Sequence, residues 1–149
     1  MEHRLALQCV DCGRRYDPAD GRHRCPRHDD GTGSLRTVYD FDRLSGTLEL
    51  SEAAIDSAWR YADFFPLPEH IEPVTLGEGG TDLVDADTLG DTLGVDLALK
   101  LESSNPSGST KDRGSSVFTT YASTTNHSGV VCASTGNAAA SLATYAARA

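Results

Sequence analysis

The sequence predicts an α/β protein in which an open sheet covered by helices follows a small β-rich head. In residues 95–101 four large apolar side chains alternate with Asp96, Ala98 and Lys100, as in a strand with two different faces. Twice a turn-rich loop is followed by a helical pattern, at 105–123 and again at 134–149, which is typical of βα units. Residues 1–40 carry closely spaced cysteines but few apolar residues. We therefore expect a head at 1–40, a helix and Pro/Gly-rich connector at 41–80, and the start of an α/β domain at 81–149.

The head is predicted to consist of short strands stabilised by a metal. Apolar residues at 5–7 and an alternating run at 35–39 are too few to build a core. Cys9-x2-Cys12 and Cys25-x2-His28 have the spacing of a tetrahedral Zn²⁺ site. His23 competes with His28 as the fourth ligand, and a head without metal is the alternative.

The connector contains one predicted helix and a glycine-rich loop. The helix is expected over residues 51–64, with Ser51 as N-cap and with Ile55 and Trp59 on one face. Three prolines then favour an extended segment. Gly77, Gly79 and Gly80 form a loop.

The α/β part is predicted to run strand, loop, helix, strand, loop, helix. The strand at 95–101 leads into the loop at 105–110, and Val117 and Tyr121 mark the apolar face of the helix that follows. Residues 130–133 read as a short buried strand that packs the Cys132 thiol. An Ala-rich helix covers residues 138–149. In open α/β sheets ligands bind beyond the carboxyl ends of the strands, where both loops fall.

The charge distribution excludes several classes of partner. Residues 41–100 hold thirteen acidic residues against three basic ones, which disfavours binding to nucleic acid or to anionic lipid. No apolar run approaches the length of a membrane span, and residues 1–20 lack the apolar region of a secretory signal. Fifteen aspartates and only two lysines suggest a halophilic protein, with an ordinary acidic protein as the alternative. We expect a cytoplasmic location.

Lys111 is one of the two lysines, and it is predicted to lie at the start of a helix. The positive end of the helix dipole disfavours an ammonium there, and a neutral amine is what Schiff-base chemistry requires. The loop at 134–137 offers backbone amides, two hydroxyls and an amide side chain at another helix start, where a carboxylate or phosphate can bind. From the residues alone, two routine turns with a solvated lysine explain the pattern equally well.

Three ordered segments resemble one enzyme class. NPSGSTKDRG at 105–114 and STGNAAAS at 134–141 are similar to motifs of the pyridoxal-phosphate enzymes of fold type II, the tryptophan synthase β-like class. LGEGGTDL at 76–83 resembles the segment that precedes the catalytic region. Within this class the pattern is most similar to the threonine synthases. The Cys-rich start resembles the zinc-ribbon-like head of many archaeal and bacterial members.

The resemblance implies a role for each matching residue. Lys111 matches the lysine that binds pyridoxal phosphate covalently, and Asn137 matches the asparagine that hydrogen-bonds the cofactor ring. Ser134, Thr135 and Gly136 match the loop that holds the substrate carboxylate. The implied reaction converts O-phosphohomoserine, a small amino-acid substrate, to threonine and phosphate, in a protein that could be a homo-oligomer. Two departures are Thr110, where an aromatic residue is common, and His28, where a cysteine is usual.

The motifs that hold the cofactor phosphate and contact its ring nitrogen lie further along in such enzymes, and no segment here matches them. We therefore expect an N-terminal fragment that is inactive alone, either a truncated product or the partner of a separately encoded C-terminal half. Other fold-type-II enzymes, such as a dehydratase or a cysteate synthase, are alternatives within the class. A non-enzymatic zinc-ribbon interaction module is the alternative outside it.

Overall fold

The structure is a computed structural model that describes residues 4–17, 20, 22–42, 56–65, 67, 70–125 and 128–149. The chain divides into two units, Met1–Glu49 and Leu50–Ala149. Within the described ranges, every helix is too short or too polar to traverse a lipid bilayer.

The first unit is built on a three-stranded antiparallel sheet. Its strands are β1 (Arg4–Cys9), β2 (Arg15–Tyr16) and β3 (Leu35–Tyr39), and β1 lies in the centre. β3 coincides with the alternating run at 35–39, so that prediction is confirmed. Ala6, Cys9 and Cys25 are its buried apolar residues among those described, and two of the three are thiols. Burial of side chains therefore contributes little to the stability of this unit.

A 3₁₀ helix, Ala58–Phe64, is the first helix described in the second unit. Ser57 caps it by accepting a hydrogen bond from the Trp59 amide at 3.3 Å. Ser51, the expected N-cap, and Ile55, expected on the apolar face, lie outside the described residues. The prediction of an α-helix is wrong for the part that can be compared, because Tyr61 has non-helical backbone angles and the Ala58 amide bonds instead to the Glu78 carbonyl.

A small antiparallel ribbon follows. Strands β4 (Leu83–Asp85) and β5 (Ala98–Lys100) flank helix α1 (Asp87–Leu93), which the sequence analysis did not predict. The predicted strand at 95–101 is wrong at both ends. Its first residues instead follow the end of α1. There Gly94 has a φ of +69°, and the Val95 amide donates to the Gly90 carbonyl. All six ribbon residues are exposed, so the alternation does not mark a buried face.

The two long helices, α2 (Lys111–Ser123) and α3 (Asn137–Arg148), are confirmed and pack against each other. The predicted apolar face of α2 is wrong, because Tyr121 is exposed and Val117 is only half-buried. The buried side chains of the two helices are mostly polar: Asp112, Ser116, Thr119 and Thr120 on α2, and Ser141 and Tyr145 on α3. Most of these polar groups are hydrogen-bonded: Ser116 and Thr120 bond to the Val74 backbone, and Asp112, Ser141 and Tyr145 form the side-chain bonds described below.

Residues 130–133 do not form the predicted buried strand. No described strand pairs with them, so they lack the ladder that defines a strand, and Val131 is 96% exposed. Cys132 is likewise exposed and is not the packed thiol that was expected. The described residues thus form a mixed α/β structure with two small antiparallel sheets, and not the predicted open sheet.

Candidate functional site

Lys111 is the first residue of α2, and a fixed loop precedes it. Asn105 begins this loop and is 4% exposed. Its side-chain oxygen accepts from the Gly79 amide at 3.0 Å, and its side-chain nitrogen donates to Glu102. Gly108, at a φ of +83°, turns the chain back, and its amide bonds to the Asn105 carbonyl at 2.8 Å. The loop therefore reaches Lys111 along a defined path.

Asp112, the next residue, ties this loop to the helices. Its carboxylate is fully buried and accepts from the Ser107 amide at 2.6 Å, from the Ser107 hydroxyl, and from the Ser141 hydroxyl at 2.5 Å. Ser115 lies one turn further along α2, and its hydroxyl lies 2.8 Å from that of Ser141. The start of α2 is thus joined to the first turns of α3.

Arg113 and Glu102 form an ion pair beside the loop. The guanidinium donates to the two carboxylate oxygens at 2.7 and 2.9 Å. The hydrogen bonds from Arg113, together with those from Asn105 and Thr81, lower the pKa of Glu102 to about 2. The pair connects the turn that precedes the loop to the first turn of α2.

A second buried carboxylate, Glu78, anchors the glycine-rich loop. It is fully buried and accepts from Trp59 Nε1 at 2.7 Å, from the Tyr145 hydroxyl at 2.8 Å and from the Leu76 amide at 3.0 Å. Burial alone would raise the pKa of Glu78, but the surrounding donors, Ser116 first, outweigh it and hold that pKa below its ordinary value. Burial, and then the bond to Glu78, raise the pKa of Tyr145.

Asn137 occupies in α3 the place that Lys111 occupies in α2, since each is the first residue of its helix. Both side chains are exposed, as are Thr135 and Gly136, while Ser134 is half-buried. The Gly136 amide donates to the Ser134 hydroxyl at 3.2 Å and makes a tight turn. The structure brings the starts of the two helices together through Asp112 and Ser141.

Sequence reasoning missed the polar residues that hold this arrangement: Glu78, Asn105, Asp112, Ser141 and Tyr145. A signal was present for three of them, Asp112, Ser141 and Tyr145. Asp112 and Ser116 are four residues apart, as are Ser141 and Tyr145, and that spacing puts each pair on one helix face. The other lysine, Lys100, is exposed on strand β5. Its ammonium donates to the Thr81 carbonyl.

The four predicted metal ligands of the first unit lie together. The ligand atoms of Cys9, Cys12, Cys25 and His28 are all within 4.8 Å of one another, and His23 is not in the group. The sulfur atoms of Cys12 and Cys25 are 3.8 Å apart. Two thiolates bound to one tetrahedral Zn²⁺ would be separated by about 3.8 Å, given a Zn–S bond of about 2.3 Å. The cluster therefore has the dimensions of a zinc site.

Three further observations fit a metal in this cluster. His28 Nε2 is buried and has no hydrogen-bond partner among the described residues, which is unusual unless another group binds there. An added Cβ at Gly33 would lie 3.0 Å from His28 and 3.2 Å from the Cys25 Cβ, so only glycine leaves the two ligands room. The Tyr16 hydroxyl lies 2.9 Å from Cys25 Sγ. Burial raises the pKa of Cys25, but hydrogen bonds from Tyr16, the Arg27 backbone and the other two cysteines outweigh it and lower that pKa to about 7.

Comparison with known proteins identifies the family. Residues 74–149 match the family described as "Pyridoxal-phosphate dependent enzyme". The threonine synthase of Methanosarcina acetivorans is 39% identical over 144 residues, which are 96% of this chain and 34% of that protein. The threonine synthase of Methanocaldococcus jannaschii is 37% identical over 149 residues, 97% of this chain and 35% of that protein.

A bacterial relative matches a shorter part of the chain. The threonine synthase of Mycobacterium leprae is 48% identical over 89 residues, 60% of this chain and 25% of that protein. The chain thus spans about a third of the length of the two archaeal relatives. The family match covers half of the chain and includes both loops and both long helices. This chain belongs to the family of pyridoxal-phosphate-dependent enzymes.

Proposed function

We propose that this chain is the lysine-bearing part of a pyridoxal-phosphate-dependent threonine synthase that converts O-phosphohomoserine to threonine and phosphate. The observation that supports it most is that Lys111 and Asn137 begin two helices whose first turns are hydrogen-bonded through Asp112 and Ser141. The identity to three threonine synthases supports the choice of reaction.

Lys111 is proposed to hold the cofactor, with Asn137 hydrogen-bonded to its ring. Among the described residues the Lys111 ammonium is exposed and forms no ion pair, so it is available to an aldehyde. Bound pyridoxal phosphate supplies an electron sink for charge that develops on an amino-acid substrate. The Lys111 amine then accepts and returns protons at the substrate carbons.

Ser134, Thr135 and Gly136 are proposed to bind the substrate carboxylate. They lie directly before α3, where backbone amides and the helix dipole favour an anion. Ser134 already turns the loop through its bond to the Gly136 amide. The remaining contacts, to the cofactor phosphate, its ring nitrogen and the substrate phosphate, are assigned to the two thirds of the relatives' length that this chain does not span.

Spectrophotometric titration with pyridoxal phosphate tests the cofactor assignment. The chain has only two lysines, so Lys100→Ala is a matched control for Lys111→Ala. We expect the absorption band of a protein-bound Schiff base in the wild type and in Lys100→Ala, and its loss in Lys111→Ala. A band that survives in Lys111→Ala would contradict the proposal.

We further propose that Cys9, Cys12, Cys25 and His28 bind one structural Zn²⁺ in a head that spans residues 1–40. The separation of the thiols and the unpartnered His28 nitrogen support this ligand set. A metal would supply the stability that the small buried apolar area of this unit does not.

Elemental analysis tests the metal site. Protein purified without chelator should contain about one zinc per chain. His28→Ala should lose most of it, whereas His23→Ala, the matched control, should keep it. Equal zinc in the two variants would show that His28 is not a ligand, and no zinc in the wild type would refute the site.

The setting of the enzyme is part of the same proposal. A cytoplasmic location and dependence on high salt belong to this proposal. The salt dependence is supported by the net charge of −10 on residues 41–100, which salt would screen. Partners beyond the amino-acid substrate are limited to the rest of the enzyme and further copies of it.

A further inference from the structure

Asp112 is a buried charge that the proposed chemistry does not use. It is fully buried, and it forms no ion pair with any described cation. A carboxylate in such a place is costly unless hydrogen bonds compensate it. Its donors are the Ser107 amide, the Ser107 hydroxyl and the Ser141 hydroxyl. They come from two other elements, the loop before α2 and the helix α3.

These donors have a specific relation to the residues at the proposed site. Ser107 lies in the loop that leads into Lys111, and Asp112 directly follows Lys111. Ser141 lies four residues after Asn137, or about 6 Å along the axis of α3. The 2.5 Å bond between Asp112 and Ser141 therefore fixes the height of one helix start relative to the other.

A second link between the same helices makes it possible to distinguish positioning of the helix starts by Asp112 from a contribution to folding stability. Tyr145, one turn beyond Ser141 on α3, donates to Glu78 at 2.8 Å, and Trp59 Nε1 joins the same carboxylate to Ser116. This link holds α3 against α2 and the glycine-rich loop, but it lies a turn further from Lys111 and Asn137. Loss of the Asp112 link should thus displace the helix starts while the second link keeps the helices packed.

We infer that Asp112 is a positioning residue that, through Ser107 and Ser141, sets Lys111 against Asn137 for the binding of the cofactor. This inference rests on the proposed function. Small displacements of reacting groups reduce reactivity steeply, so the effect should appear in cofactor binding before it appears in folding. Asp112→Asn replaces one carboxylate oxygen with an NH₂ group that cannot accept the existing bonds.

Titration with pyridoxal phosphate, carried out on the full chain in a Lys100→Ala background, tests the inference. Asp112→Asn and Ser141→Ala should each weaken formation of the Schiff-base band by about tenfold. The double variant should lose less than the product of the two single losses, because the two residues share the bond between Asp112 and Ser141. Ser141→Thr, which keeps the hydroxyl, should bind more tightly than Ser141→Ala.

Tyr145→Phe is the matched control, since it removes one hydroxyl that donates to a carboxylate on the same face of α3. It should lower the urea midpoint of unfolding but leave the titration within about twofold of the parent. The inference is wrong if Asp112→Asn titrates like the parent, or if Tyr145→Phe weakens binding as much as Ser141→Ala does. Failure of the parent chain to form the band would refute the proposed function itself, and the inference with it.

Discussion

At Gly79 the backbone has a φ of +92°, and an added Cβ would lie 2.3 Å from the Ala58 amide nitrogen. Its neighbour Gly77 has a similar φ of +83°, but an added Cβ there would meet no atom within 4 Å. The two glycines therefore separate the cost of a left-handed conformation from the cost of a close approach.

We predict that Gly79→Ala destabilises the second unit far more than Gly77→Ala. The backbone strain shared by both variants amounts to about 1–2 kcal/mol. Overpacking against the Ala58 backbone should add roughly 1–3 kcal/mol in Gly79→Ala alone. Urea unfolding followed by helical circular dichroism measures the difference. Equal midpoints for the two variants would show that the close approach to Ala58 is relieved at no cost.

The Glu102–Arg113 pair acts between elements, because it joins a 3₁₀ turn (Glu102–Ser104) to the first turn of α2. The pKa of Glu102 is lowered to about 2, against about 4.3 in an unfolded chain. A lowered carboxyl pKa contributes stability that is fully present above the unfolded value and is lost as the pH falls through the folded value. This contribution should therefore disappear between about pH 4.3 and pH 2.

As the pH falls through this interval, the free energy of unfolding should therefore decrease more steeply in the wild type than in Glu102→Gln. At pH 7 the variant should be the less stable of the two, and near pH 2 the two should converge. Glu72→Gln, which removes an exposed carboxylate, controls for the loss of one negative charge. A constant difference between the wild type and Glu102→Gln from pH 7 to pH 2 would contradict the account.

Elements with strong local signals could be predicted from the sequence. The helices α2 and α3 follow the two predicted turn-rich loops, and β3 coincides with the strand predicted at 35–39. Errors occurred where tertiary contacts decide. The run at 95–101 has the pattern of a strand, but its first residue, Val95, bonds to the Gly90 carbonyl after the turn at Gly94 that ends α1. Residues 130–133 are apolar, yet a strand forms only where another strand pairs with it.

In the candidate site, too, residues marked by a local sequence signal could be predicted, whereas residues that act through tertiary contacts could not. The places of Lys111 and Asn137 at helix starts, and the grouping of the three cysteines with His28, could be predicted because a motif or a ligand spacing marks these residues. The residues that position the two helix starts, Asp112 and Glu78 above all, belong to no motif, and their partners include residues far away along the chain. Glu78, for example, meets Trp59 and Tyr145, which are 19 and 67 residues away along the chain.

At the scale of the whole molecule, the chain combines a thiol-rich first unit with a second unit that contains the segment matching the pyridoxal-phosphate-dependent enzymes, residues 74–149. Among its described residues the second unit buries few apolar side chains, and several large ones in or next to the ribbon and α1 are exposed: Leu83, Leu89, Leu93, Val95 and Leu99. Its described buried residues are dominated by hydrogen-bonded polar groups. Its architecture therefore depends on specific polar pairs more than on a general apolar core.

The central claim is that Lys111 is the residue that binds the cofactor, and peptide mapping after reductive trapping tests it most directly. The chain is incubated with pyridoxal phosphate, reduced with borohydride, digested and analysed by mass spectrometry, with Lys100 as an internal reference in the same molecule. The account predicts that the phosphopyridoxyl group is found on Lys111 in large excess over Lys100. Equal modification of the two lysines, or modification mainly at Lys100, would contradict it.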